Sequence, residues 1–135
     1  MDRSYPNSEK LKSRLTIERL FREGKSVSKY PLRLVFIPIE DSVSKIQVGV
    51  SVPKKFFKKA HDRNLIKRRL REAYRHNKSL LIDAAKSPVA CMIVYSNSET
   101  MSYADITVKI EQLFKKFADL QNEAEAHKID TSTTE

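Results

Sequence analysis

The sequence predicts an α+β fold, a single-domain sandwich in which a roughly four-stranded sheet is covered by helices in the order α-β-β-β-α-β-α. Three observations carry that prediction. Short β-branched runs are separated by longer runs of helical period. The breaks between them fall at Gly24, Pro38 and Pro53, residues suited to ending helices and strands. The chain has 135 residues and no internal repeat, enough for one core without disulfides or a structural metal.

Residues 1–12 are polar and read as a flexible arm before a folded unit, 13–120. In "RLTIERLFREGK", Leu15, Leu20 and Phe21 with Ile17 give a short amphipathic helix that Gly24 stops. "PLRLVFIPI" (31–39) reads as a strand closed by Pro38 and the polar turn "EDSVSK". "IQVGVSV" (46–52) alternates, with Ile46, Val48, Val50 and Val52 facing one way and Gln47, Gly49 and Ser51 the other. Its expected partner is the preceding strand, as a hairpin. "PVACMIVY" (88–95) is a nearly continuous apolar run, as expected of an interior strand. Ser102 and Asp105 then fit a capping box, and Ile106, Ile110, Leu113, Phe114, Phe117 and Leu120 recur at helical spacing. The acidic stretch 121–135, ending "DTSTTE", reads as a disordered tail. Three strands are placed by residue in this way; the fourth is not.

Charge is the unusual feature. The 26 Lys and Arg exceed the 17 Asp and Glu by nine. Between Pro53 and Lys78 eleven basic residues face only Asp62 and Glu72, so this one segment holds the whole net charge. Such concentration repels itself, and a polyanionic partner is the usual compensation. The single cysteine, Cys91, permits no intramolecular disulfide and lies in an apolar run where a buried structural thiol is expected. The N-terminus has no hydrophobic signal region and no apolar run is long enough to span a bilayer, so the expected location is cytoplasmic, with no membrane partner.

If residues 63–75 form a helix, steps of roughly 100° gather Ile66, Leu70, Ala73 and Tyr74 on one side. Asn64, Lys67, Arg68, Arg71 and Arg75 fall in an opposite arc, with Arg63 at its N-terminal edge. The apolar side docks on the sheet and leaves a cationic ridge in solvent, suited to a nucleic-acid backbone. Arginine's planar fork makes bidentate phosphate contacts, and the Asn64 amide adds a donor and an acceptor. Asp62 is placed as the N-cap. The alternative is a solvated charged face without a partner; ordinary exposed helices mix signs at i,i+4, and this arc contains no acid.

"RNLIKRRLRE" also resembles the signature of the bacterial ribonuclease P protein component. The pattern R-N-x-x-K-R-x-x-R-E is matched at Arg63, Asn64, Lys67, Arg68, Arg71 and Glu72. Upstream, "GVSVPKK" matches at Gly49, Ser51, Lys54 and Lys55, and "LFREGKS" is similar to the end of the family's first helix. The resemblance spans roughly residues 11–120. It implies a left-handed β-α-β crossover, an exception to the general right-handed rule. It also implies a subunit that binds a catalytic RNA and helps remove the 5′ leader of precursor tRNA, with Mg²⁺ in the RNA-containing holoenzyme and no cofactor on the protein alone. Its partners would be that RNA and precursor tRNA, with no obligate protein partner evident. Carried over by position, Arg63, Asn64, Lys67, Arg68 and Arg71 become contacts to the catalytic RNA, with Lys54, Lys55 and Arg75 beside them. Ile17, Phe21, Arg33, Val35 and Ser51 become the leader-binding cleft. Phe21 matches an aromatic that stacks on an unpaired base; its bland alternative is core packing. Ile17 and Val35 depart from aromatics common in the family, so that stacking in the cleft is either weaker or supplied by Phe36, Tyr30 or Phe56.

No catalytic site of the protein's own is expected. His61, His76 and His127 form no metal-binding spacing, the carboxylates are scattered, and two glycines cannot build a phosphate loop. Three other readings compete: a ribosome-associated module using the same helix, a DNA-binding regulator, and a protein ribonuclease using His61 or His76. The second lacks a paired helix-turn-helix.

Overall fold

Strand β4 (Val89–Tyr95) is buried at all seven positions, so it requires cover on both faces and a partner along both edges. The computed structural model, which describes residues 4–40 and 45–133 with side chains as far as Glu123, meets both requirements. Its other elements are α1 (Arg14–Glu23), β1 (Lys25–Lys29), β2 (Leu32–Pro38), β3 (Ile46–Ser51), α2 (Ala60–Ala84) and α3 (Tyr103–Thr133). The strand order is β1-β2-β4-β3. β4 lies antiparallel to β2, with Leu32 opposite Tyr95, and parallel to β3, with Ile46 opposite Val89.

Alternation divides the sheet's two faces. Leu34, Phe36, Val48, Cys91 and Ile93 pack against α2 and α3, where Phe114 and Phe117 complete the main core. Val35, Ile37, Ala90, Met92 and Val94 face the other way and bury Leu20 of α1 together with Leu11. Phe36 and Phe117 meet edge to face with centroids 4.9 Å apart. Cys91 is fully buried, and burial pushes its thiol pKa well up, so it is inert at neutral pH. At the start of α3 the Ser102 hydroxyl accepts from the Asp105 N–H at 3.1 Å, as the capping box predicts. No helix among the described residues is long and apolar enough to cross a membrane.

Several expectations are corrected. The hairpin is β1–β2, with Lys25 opposite Phe36 and Lys29 opposite Leu32, and β3 does not touch β2. A β2–β3 hairpin would leave the most apolar strand at an edge, where its backbone would be open to other chains. "KSVSK" escaped notice because it carries a single apolar residue; β2 makes it a strand, and its two lysines suit an edge. α2 begins at Ala60 with Lys59 as its N-cap, so Asp62 lies inside the first turn, where its charge still interacts favourably with the helix dipole. On α1 the buried residue is Leu20, while Leu15 is 77% exposed. α3 extends to Thr133, through most of the stretch 121–135. Residues 4–12 form no loose arm: a 3-10 turn at Asn7–Glu9 and a bridge from Lys10 to Val48 lay them along β3. Residues 41–44 of the polar turn, like 1–3 and 134–135 of the two termini, lie outside the described residues.

Gly24 alone separates α1 from β1. Its N–H donates to the Leu20 carbonyl at 2.8 Å, and a Cβ there would lie 2.2 Å from the same oxygen. Because the obstacle is backbone, a side chain must displace the helix end. Gly24→Ala is therefore expected to lower stability by about 1–3 kcal/mol in urea unfolding; an unchanged midpoint would contradict this account of the junction.

Candidate nucleic-acid interface

The partition of α2 holds in three dimensions. Ile66, Leu70, Ala73 and Tyr74 have no exposed surface. Asn64, Arg68 and Arg71 are exposed on the opposite side, with Lys67 and Arg75 half-buried beside them. Positions 64, 68, 71 and 75 form one stripe over roughly 16 Å of helix. Lys54 and Lys55 are exposed in the preceding loop, the Lys55 ammonium 5.1 Å over the Phe56 ring. His61, Asn64, Leu65, Arg68 and Arg71 rim a shallow hollow of about 270 Å³.

Not every basic residue of the segment serves this surface. Arg63 donates to the carbonyls of Phe57 and Lys58 at 2.6 and 2.9 Å, tying the loop to the start of the helix. Arg69 donates to the Met101 carbonyl at 2.6 Å, which fixes the loop before α3. Arg75 is bound by Glu72 one turn back, so the arc has an acid at its edge after all. Lys78 is 3% exposed and pairs with Glu9 at 2.8 Å. Charge read as one ridge is thus divided between surface and scaffold.

Beside the ridge lies a groove of about 460 Å³ lined by Tyr5, Lys10, Leu11, Lys12, Ile17, Gly49, Val50, Arg71 and Met92. Arg71 belongs to both surfaces. Gly49 permits the groove's depth, since a Cβ there would meet the Met92 thioether at 3.1 Å. The strand registers place Arg33, Val94 and Ser51 in one row across the sheet, on the face that carries α1, and Val35, Met92 and Gly49 in the next. Of the expected cleft residues, Ile17 lines the groove and Val35 is buried in the floor under α1. Arg33 is exposed and Ser51 half-buried, flanking Val94. Phe21, one turn along α1 from Ile17, is 49% exposed, which excludes simple core packing. Phe36 is unavailable, because its ring is buried against Phe117 on the other face of the sheet. Tyr30, at 72% exposure, and half-buried Phe56 remain accessible.

Tyr5, Lys10 and Lys12 were missed because they fell in the supposed flexible arm. One signal was present: Lys78 stands on the buried stripe of α2, four residues after Tyr74, where a lysine requires an internal acid. That acid is Glu9, whose other oxygen accepts from the Tyr74 hydroxyl at 2.9 Å. Burial and this bond to the carboxylate push the Tyr74 pKa well above 10, so the donating proton stays in place through neutral and mildly alkaline pH.

Among the described residues the groove lining holds three cations and one aromatic and no carboxylate, a chemistry suited to phosphates and unpaired bases. Among the described residues no three of His, Cys, Asp or Glu come together to hold a metal ion. His61 and His76 stand roughly 22 Å apart along α2 and do not share a site.

Comparison with known proteins follows the same line. The family described as Ribonuclease P matches residues 5–118. The chain is 43% identical over 93 residues to the ribonuclease P protein component of Porphyromonas gingivalis, covering 64% of this chain and 68% of that one. It is 32% identical over 111 residues to the Dictyoglomus turgidum protein of the same name, covering 82% and 87%. The solved Thermotoga maritima RNase P protein superimposes with a TM-score of 0.65 at 26% identity, covering 80% of this chain and 96% of that one. A Staphylococcus aureus RNase P protein shares the fold, with a TM-score of 0.66 at 22% identity over 79% and 93%.

The division of cations predicts separable effects. Arg63→Ala should destabilise the fold by about 1.5–3 kcal/mol, the range for hydrogen bonds to a charged group. Arg68→Ala should stay within about 0.5 kcal/mol of the parent, as exposed substitutions do. Denaturant melts of the two variants check this, and equal losses would contradict the division.

Proposed function

The chain belongs to the ribonuclease P protein family, as a protein subunit of the RNA-based endoribonuclease that matures tRNA 5′ ends, and on that premise we propose how its surfaces divide the work. The α2 ridge, with Asn64, Lys67, Arg68, Arg71 and Arg75, binds the catalytic RNA, extended by Lys54 and Lys55 of the loop. Arg63 serves that surface by holding the loop on the helix. The groove and the open sheet face above α1, with Ile17, Phe21, Arg33 and Ser51, take the single-stranded 5′ leader of precursor tRNA, and Val35 contributes to its floor. One observation carries the reading: ridge and groove meet at Arg71, so one rigid body offers cations to two RNA strands at once. The ribosome-associated alternative is not favoured, because the relatives that cover most of the folded chain are ribonuclease P proteins.

The protein's contribution is electrostatic and positional. Two polyanions must approach closely, and cationic side chains carried on a helix whose other face is buried neutralise phosphates without the helix having to be ordered at that moment.

Multiple-turnover cleavage of a 5′-extended precursor tRNA at near-physiological Mg²⁺ tests the reading. Stimulation is expected only when the source organism's ribonuclease P RNA is present, with no cleavage by protein alone. Cleavage without RNA would overturn the division of labour. In RNA-binding titrations, log K should fall with log salt by roughly 0.7–0.9 per phosphate neutralised, and Arg68→Ala or Arg71→Ala should reduce that slope by about one such increment. A slope indifferent to both would remove the ridge from the interface.

A further inference from the structure

We infer that the N-terminal segment Ser4–Lys12 forms the second wall of the leader groove, with Tyr5 as the aromatic on which an unpaired base stacks and the buried Glu9–Lys78 pair as the element that positions it. The inference rests on the reading of the groove as the leader site.

Tyr5 is the single aromatic of the groove lining among the described residues, on a chain whose α1 presents Ile17 there. Its ring is held at two points: it meets the Tyr74 ring edge to face with centroids 5.3 Å apart, and its hydroxyl donates to the Val48 carbonyl. A ring so fixed loses little freedom when a base stacks on it. Its face is reached by the Lys10 ammonium, 5.4 Å from the centroid. A base stacked on an aromatic is the stronger partner of the two in water, so a nucleotide displaces Lys10, whose ammonium then meets the phosphate of the strand. Lys12 and Arg71 line the same groove and continue the path for the backbone.

The segment would not hold this position through local propensity, being short and polar. It is clasped from α2. Lys78 Nζ donates to Glu9 at 2.8 Å and to the Ser4 carbonyl at 2.9 Å, and the side chains of the pair are only 4% and 12% exposed. Tyr74 donates to the other Glu9 oxygen, and the Leu11 N–H donates to the Val48 carbonyl at 3.1 Å. The two points that Lys78 holds, Ser4 and Glu9, thus bracket Tyr5 in sequence, and neither Lys78 nor Glu9 lines the groove. A buried pair of this kind is poor evidence for added stability, since hydrophobic replacements often do as well. What it supplies is one defined geometry for the segment.

The test uses holoenzyme assembled with cognate RNA, and compares affinity for precursor tRNA bearing a leader with affinity for tRNA lacking one. Tyr5→Leu is expected to lower that ratio about tenfold, within the range for one stacked base, while Tyr5→Phe, which keeps the ring and loses only the hydroxyl's hold on Val48, lowers it by less. Glu9→Gln combined with Lys78→Met should lower the same ratio and leave binding of leaderless tRNA unchanged. The chain has no tryptophan, so Tyr5→Trp supplies a single indole reporter at the site, and leader-bearing substrate should quench it where leaderless tRNA does not. That readout stands even if Tyr5→Leu folds poorly. If Arg71→Ala lowers the ratio but Tyr5→Leu does not and the indole is not quenched, the groove reading survives and the role of Tyr5 is refuted. If neither Arg71→Ala nor Tyr5→Leu changes the ratio, the groove does not hold the leader and both fall.

Discussion

The full burial of β4 is the constraint from which the rest of the molecule follows. A strand of seven buried residues must lie inside the sheet, which sends β2 to one side of it and β3 to the other. Since β3 and β4 run parallel, the chain between them has to cross the sheet, and α2 is that crossing. Two of the sheet's faces then need cover of different kinds. α2 and α3 take the larger, while α1 and the N-terminal segment take the smaller and leave part of it open. The groove is that uncovered part. Its position beside the basic helix is a consequence of topology, because α2 leaves the sheet from the end of β3, whose Gly49 and Val50 line the groove.

Within this frame α2 reconciles two opposed demands. Its charge would repel itself on a free helix, and like charges at i,i+4 destabilise by a few tenths of a kcal/mol each. The apolar stripe from Ile66 to Leu81 outweighs them, at about 1.5–3 kcal/mol for each large side chain buried. The ridge therefore stays ordered before any polyanion arrives. Several basic residues also turn inward: Arg63, Arg69 and Lys78 hold respectively the loop before α2, the loop before α3 and the N-terminal segment. The most basic part of the chain thus acts as a fastener for three other segments as well as a surface.

What could be read from the sequence was whatever repeats with a short period. The buried face of α2, the interior character of β4, the capping box of α3 and the three apolar strands all rest on residues within a few positions of one another. Pairing was less accessible, because alternation says which side a strand shows and nothing about its neighbour. β1 was invisible for a related reason: Ser26 and Ser28 become strand residues only by lying opposite Val35 and Arg33. The ridge residues were identified correctly as a helical arc, yet sequence gave no means of separating Arg68, which meets solvent, from Arg63, which meets carbonyls. Of the residues expected at a cleft, Ile17 lines the groove, Arg33 and Ser51 lie in one row on the same face of the sheet, and Phe36, one of the three aromatics offered as substitutes, faces the opposite core.

The N-terminal segment shows why such misreadings gather at functional sites. A segment is assigned as disordered when it cannot bury enough apolar surface of its own. Residues 4–12 meet that description, yet they are held by partners 69 residues away in α2 and 37 residues away in β3. Their polar character is required where they lie, since Lys10 and Lys12 have to face the groove and Glu9 has to neutralise a buried lysine. A binding wall assembled from an apolar segment would have been easier to recognise and unable to hold a phosphate backbone. The polarity that hid the segment from pattern reading is therefore the property that fits it to the groove, and the misplaced lysine on the apolar stripe of α2 was the one mark of it left in the sequence.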